Sequence, residues 1–102
     1  MEDLFINEKP VKTLITIRRN RDEIYCNKIS KKVDTTYAHT VRIVSRLEEK
    51  GLIETHKKGR KKIIELTEKG EEYAETFQRL QELFKEEERE NSPDPKDIIK
   101  NK

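Results

Sequence analysis

The sequence predicts a mainly α-helical domain with one small β-hairpin, an α+β arrangement closed by a long C-terminal helix. Three observations carry this. Apolar residues recur at helical spacing in four segments. Two short runs rich in β-branched residues flank a basic linker that holds one glycine. The last helical segment starts at Thr67 and runs to about Glu90 with no breaker. At 102 residues the chain has room for one core. Residues 1–90 are read as a single domain, and 91–102 as a flexible tail, polar apart from Ile98 and Ile99.

Each element has a local cause. Residues 1–9 mix Leu4, Phe5 and Ile6 with three acids, and either start a first helix or lie as a docked arm. Pro10 suits a first helical turn, where its missing N–H needs no partner. From it Val11, Leu14 and Ile15 follow at helical spacing, with Arg18 and Arg19 at the negative end of the dipole. Asn20 to Asp22 read as a turn, and Ile24-Tyr25 as a short strand. Asn27 is the expected cap of a helix over 28–33, with Ile29 and Val33 on one face. Asp34-Thr35-Thr36 is a polar break. A helix over 36–50 then buries Val44 and Leu47, with Ile43 beside them and Thr40 one turn earlier. Gly51 is its left-handed terminator.

The hairpin is expected to pair 52–55 with 63–66 around a loop, 56–62. Ile64 and Leu66 alternate with Glu65, and Ile63 breaks that alternation, so it is expected at an edge or a partner contact. Thr67 is the N-cap of the last helix. Gly70 inside its first turn costs ~1 kcal/mol against alanine, which implies a packing reason. Tyr73, Phe77, Leu80 and Phe84 are spaced 4, 3 and 4, and Leu83 widens the stripe.

The net charge of +2 conceals a segregation: residues 9–66 carry a net +9, and the remainder a net −7. A basic block with an acidic flank favours a polyanionic partner. Lysine and glutamate together make up 31 residues, and Ile outnumbers Leu by 11 to 7. That usage fits a thermophile, although an AT-rich genome gives the same bias. No apolar run is long enough for a membrane span, and no charged-then-apolar leader opens the chain. One cysteine, Cys26, fits a reducing, cytoplasmic setting.

Two helices joined by a short break and followed by a basic hairpin describe a winged helix-turn-helix. In that unit the second helix enters the major groove of double-stranded DNA. On helix 36–50 the base-reading candidates are Tyr37, Ala38, His39, Val41 and Arg42. Arg42 is the candidate for guanine, and Tyr37 and Ala38 for thymine methyls or sugars. Ser45 and Arg46, with Lys31 and Lys32 on the preceding helix, are backbone candidates. So are the wing residues Lys57, Lys58, Arg60, Lys61 and Lys62. Phe77, Leu80, Leu83 and Phe84 are the dimerisation candidates, because an isolated core has little surface to cover them.

The stretch 28–70, KISKKVDTTYAHTVRIVSRLEEKGLIETHKKGRKKIIELTEKG, resembles the winged-helix core of small archaeal and bacterial MarR-like regulators. Its most specific pieces are LEEKGLI (47–53) and RKKIIELTEKG (60–70). The resemblance implies DNA binding, homodimerisation and transcriptional control, with helix 36–50 as recognition helix. Two features depart from the pattern. Thr40 stands where an aliphatic residue is usual, with Val41 turned outward, and the longer terminal helices of larger members have no counterpart. No residue pattern names a small-molecule effector.

No phosphate loop, nucleophile elbow or His/Cys metal spacing is present, so neither an enzyme nor a cofactor is expected, and no metal site. His39, His56 and Cys26 are read as ordinary side chains. Two other functions remain open on the sequence. One is an archaeal chromatin or architectural DNA-binding protein. The other is a winged helix used for protein contacts within transcription or replication machinery.

Overall fold

The computed structural model of the protein describes residues 2–5 and 7–90. Along them run α1 (Glu2–Phe5), α2 (Glu8–Arg19), α3 (Cys26–Val33), α4 (Tyr37–Glu49), β1 (Ile53–Lys58), β2 (Lys61–Leu66) and α5 (Glu68–Glu90). The tail expected over 91–102 lies outside the described residues.

The N-terminal residues form the short α1, with Leu4 buried. Helix α2 begins two residues before Pro10, which still falls among the first-turn positions that lack an intrahelical acceptor. Its inner face sets Leu14 and Ile17 into the core, and the fully buried Thr13 turns its hydroxyl back onto the Lys9 carbonyl at 2.8 Å. Helix α3 starts at Cys26 behind Tyr25, without a side-chain cap, so the expected Asn27 cap is not used. Asn27 serves instead inside the helix, where its carbonyl accepts from the buried Ser30 hydroxyl at 2.8 Å.

Only three residues separate α3 from α4. Asp34 adopts a left-handed conformation (φ +58°), which lets the chain reverse there. The Lys9 ammonium donates to the Val33 and Asp34 carbonyls at 3.0 and 3.1 Å, so α2 caps the C-terminal end of α3. Thr36 caps α4 by accepting from the His39 N–H at 3.1 Å. Thr40, Ile43, Val44 and Leu47 are buried, so the inner stripe is the expected one. Thr40 fits an apolar site because its hydroxyl donates to the Thr36 carbonyl at 3.0 Å.

Gly51 ends this segment at φ +74°, and the Leu52 N–H reaches back to the Leu47 carbonyl at 3.0 Å. The hairpin is longer than the sequence suggests. Register runs from Ile53 opposite Leu66 to Lys58 opposite Lys61, which leaves Gly59 (φ +63°) and Arg60 as the turn. Most of the expected 56–62 loop is therefore strand, because cross-strand hydrogen bonds override the low β-propensity of lysine. Ile24-Tyr25 forms no strand. Its trace is one bond, from the Ile64 N–H to the Ile24 carbonyl at 2.9 Å. Ile63 and Ile64 are both buried, so Ile63 sits at no exposed edge. It borders the same cleft as residues 20–24 of the linker.

Helix α5 starts where the hairpin ends. The Thr67 hydroxyl accepts from the Gly70 N–H at 3.0 Å and donates to the Gly51 carbonyl at 2.7 Å. The Thr67 N–H bonds the Leu52 carbonyl at 3.1 Å. A β-carbon on Gly70 would stand 1.8 Å from that same Leu52 oxygen, which is the packing reason the sequence implied. Further along, Arg18 of α2 donates to Glu71 at 2.8 Å and to Gln78 at 3.0 Å, fastening α5 at two points about two turns apart. Arg18, one of the basic residues of the first half, is therefore engaged within the fold.

Candidate nucleic-acid interface

Helix α4 turns one face into the core and leaves Tyr37, Ala38, Val41, Arg42, Ser45 and Arg46 exposed, with His39 half-buried. Two grooves flank this outer face. One runs between α4 and the hairpin and brings Tyr37, Val41 and Ser45 together with Arg60, Lys61 and Lys62. The other runs between α4 and the start of α2 and is lined by His39, Arg42 and Arg46. Val41 and Ser45 border both, so they form the crest of the helix. Lys31 and Lys32 are exposed on the last turn of α3, and Ala38, Lys57 and Lys58 border neither groove.

The strand register sorts the wing charges. Lys57 faces Lys62, Lys58 faces Lys61, and Arg60 occupies the turn. Like charges directly opposite each other destabilise a ladder. Two internal contacts relieve part of this. The Lys58 ammonium meets the Glu23 carboxylate at 2.6 Å, and the Lys61 ammonium stands 4.8 Å from the Tyr25 ring centre. The hydrogen bond from Lys58 holds the Glu23 carboxyl below the ordinary carboxylate range, and Glu23 raises the Lys58 ammonium in turn. Lys57, Lys62 and Arg60 have no carboxylate within ion-pair distance among the described residues. At the hairpin base the pattern inverts: Glu54 faces Glu65, and His56 approaches Glu65 at 3.9 Å. The Glu48 carboxylate accepts from the Thr55 hydroxyl at 2.6 Å and is thereby tied to the wing.

Neither Glu23 nor Tyr25 is among the site candidates that the sequence offers. Each lies about 35 positions from its lysine, and no local pattern links them. Cys26 borders the α4–wing groove half-buried, and burial pushes its thiol pKa up. Among the described residues no group of three or more metal-ligating side chains converges, and no helix is long and apolar enough to cross a membrane.

On α5, Phe77 is half-buried against Phe5 at 4.9 Å between ring centres, with Tyr73 6.1 Å from Phe5. Helix α1 thus covers the first part of the apolar stripe. Beyond it Leu80, Leu83 and Phe84 are 44%, 49% and 54% exposed.

A helix pair with a three-residue turn, a two-stranded wing and a long closing helix defines a winged helix domain. The chain belongs to the DUF6293 C-terminal winged helix domain family, whose profile matches residues 7–78. An uncharacterised protein of Archaeoglobus fulgidus is 30% identical over 91 residues, covering 82% of this chain and 96% of its own length. The crystal structure of AF1382, also from Archaeoglobus fulgidus, superposes with a TM-score of 0.74 at 28% identity over 80% of this chain and 93% of that one. MepR, a transcription regulator of the Staphylococcus aureus multidrug efflux pump MepA, gives 0.76 at 23% identity over 97% of this chain and 74% of that one. A MepR–DNA complex gives 0.69 at 24% identity over 89% and 77%. At that identity the MepR likeness is one of fold.

Proposed function

We propose that this protein is a DNA-binding transcription regulator of the MarR-like kind that acts as a homodimer in the cytoplasm and carries out no catalysis. In this reading α4 lies in the major groove and the wing, residues 56–62, meets the backbone or the minor groove. One observation carries it: two facing pairs of lysines and an arginine crowd the wing tip, beside the exposed outer face of α4. Stacked like charge weakens the isolated domain, and a polyanion relieves that repulsion. The likeness of fold to MepR, which has been crystallised with DNA, supports the same reading.

The second copy is assigned to the outer half of α5. Leu80, Leu83 and Phe84 make an apolar patch that monomers seldom keep, and burying each contributes ~1.5–3 kcal/mol before the cost of association. A two-fold pair sets two recognition helices about 34–36 Å apart, one turn of DNA.

The experiment is selection of bound duplexes from a random pool, followed by salt titration. A palindromic consensus is the expected result. If ~4 phosphates are neutralised per protomer, log K falls with log salt at a slope near −4 per protomer. Replacing Lys58, Arg60 and Lys61 by alanine is expected to flatten that slope by up to ~3 per protomer. Even binding to all sequences favours an architectural role instead. Absence of DNA binding at low salt refutes the reading in favour of protein contacts.

A further inference from the structure

The outer face of α4 is chemically two-sided. On the flank away from the wing stand His39, Arg42 and Arg46, all hydrogen-bond donors or cations. On the flank towards the wing stands Tyr37, and one helical turn on, at the crest between the two grooves, stands Val41; they are 59% and 38% exposed. The same groove also takes Ser45 and Glu48, and the Glu48 carboxylate is held onto the wing by the Thr55 hydroxyl. An exposed valine on the crest of a helix gains nothing from phosphate or sugar oxygens. In a helix its side chain is nearly fixed in one rotamer, so its two methyls form a rigid apolar knob.

The one alkyl group that projects from a base edge into the major groove is the C5-methyl of thymine. We propose that Val41, extended by Tyr37, is a specificity-determining residue that seats a thymine C5-methyl, while Arg42 takes guanine O6 and N7 on the opposite flank. Each half-site then carries a thymine on the wing side of a guanine. The inference rests on the DNA-binding reading above and adds the chemical feature read and its position.

Exchanging deoxyuridine for thymidine removes that methyl and nothing else. The probe is the duplex enriched from a random pool, resynthesised with each thymidine replaced singly. Wild-type protein is expected to lose about fourfold in affinity at one or two positions per half-site, the equivalent of one buried carbon at ~0.8 kcal/mol. Val41→Ala is expected to bind the thymidine duplex about as weakly as wild type binds the deoxyuridine duplex, and to be insensitive to the exchange. Val41 lies outside the core, and an unchanged circular dichroism melt separates the loss of contact from a loss of fold.

Equal wild-type affinity for the two duplexes overturns the inference. So does a Val41→Ala variant that keeps the full sensitivity, an enriched half-site without thymine, or bound DNA with no enriched sequence at all. Failure to retain any duplex at about 50 mM salt refutes the DNA-binding reading itself, since non-specific phosphate contacts are strongest there. The two failures are thus distinct.

Discussion

Gly70→Ala should destabilise the protein, although helix propensity alone predicts the opposite. Gly70 lies in the first turn of a 23-residue helix, where alanine gains up to ~1 kcal/mol over glycine. Its backbone, however, lies against the segment that enters the wing. An added β-carbon meets the Leu52 carbonyl oxygen at 1.8 Å, its carbon at 2.8 Å and the Leu66 side chain at 3.2 Å. Reaching ordinary contact requires a displacement of roughly 1.5 Å. The Leu52 oxygen cannot retreat freely, because it accepts the Thr67 N–H and Leu52 itself is fully buried. Overpacking of this kind costs ~1–3 kcal/mol, and weakening the Thr67 cap costs a further ~0.5–2 kcal/mol. The net expectation is a loss of ~1–4 kcal/mol, which for a domain of this size lowers Tm by roughly 4–30 °C. Thermal unfolding followed by circular dichroism measures it, with Gly51→Ala as comparator. Gly51 is left-handed with open space around it, so that change carries only the ~1–2 kcal/mol strain of its φ. A Gly70→Ala protein as stable as wild type refutes the close approach of α5 to the wing base.

Further outcomes are expected. A Leu80→Glu, Phe84→Glu double variant should sediment as a folded monomer; a dimer that persists moves the interface elsewhere, towards residues 1–19. Arg42→Ala should cost ~1–3 kcal/mol on the preferred site and much less on random DNA, and equal losses reduce Arg42 to a phosphate anchor. Glu23→Gln removes the carboxylate that competes with phosphate for Lys58 and should tighten DNA binding at low salt, whereas unchanged affinity means that Lys58 does not reach phosphate. In the wild type the Glu23 carboxyl is depressed, so its pair with Lys58 supports folding fully above the ordinary carboxylate range and is lost as pH falls below it. Cys26 has a raised thiol pKa, so alkylation at neutral pH should be slower in the native protein than in urea. Stability should also fall as pH rises through the thiol range, and equal alkylation rates would contradict the burial.

Local chemistry alone determined much of this protein. The inner stripe of α4, the Gly51 terminator and the Thr67 cap each depend on residues within one or two helical turns, so periodicity and cap chemistry suffice to read them. The order of those elements is enough to imply the winged helix, and the exposed Leu80, Leu83 and Phe84 follow from a stripe longer than the core it could cover. What the tertiary structure decided lies at long sequence separation. Tyr25 begins α3 where Asn27 was the expected cap, and Ile24-Tyr25 reduces to a single bond, because Ile64 meets it from 40 residues away. The wing strands extend through lysines with poor strand propensity because the partner strand supplies their hydrogen bonds. Glu23 and Tyr25 engage Lys58 and Lys61 only because the α2–α3 linker passes beside the hairpin. The placing of Arg42 and Arg46 in one groove and Tyr37 in the other likewise needs the two neighbours that form those grooves, since a helical wheel fixes angles around an axis but not what stands on either side of it.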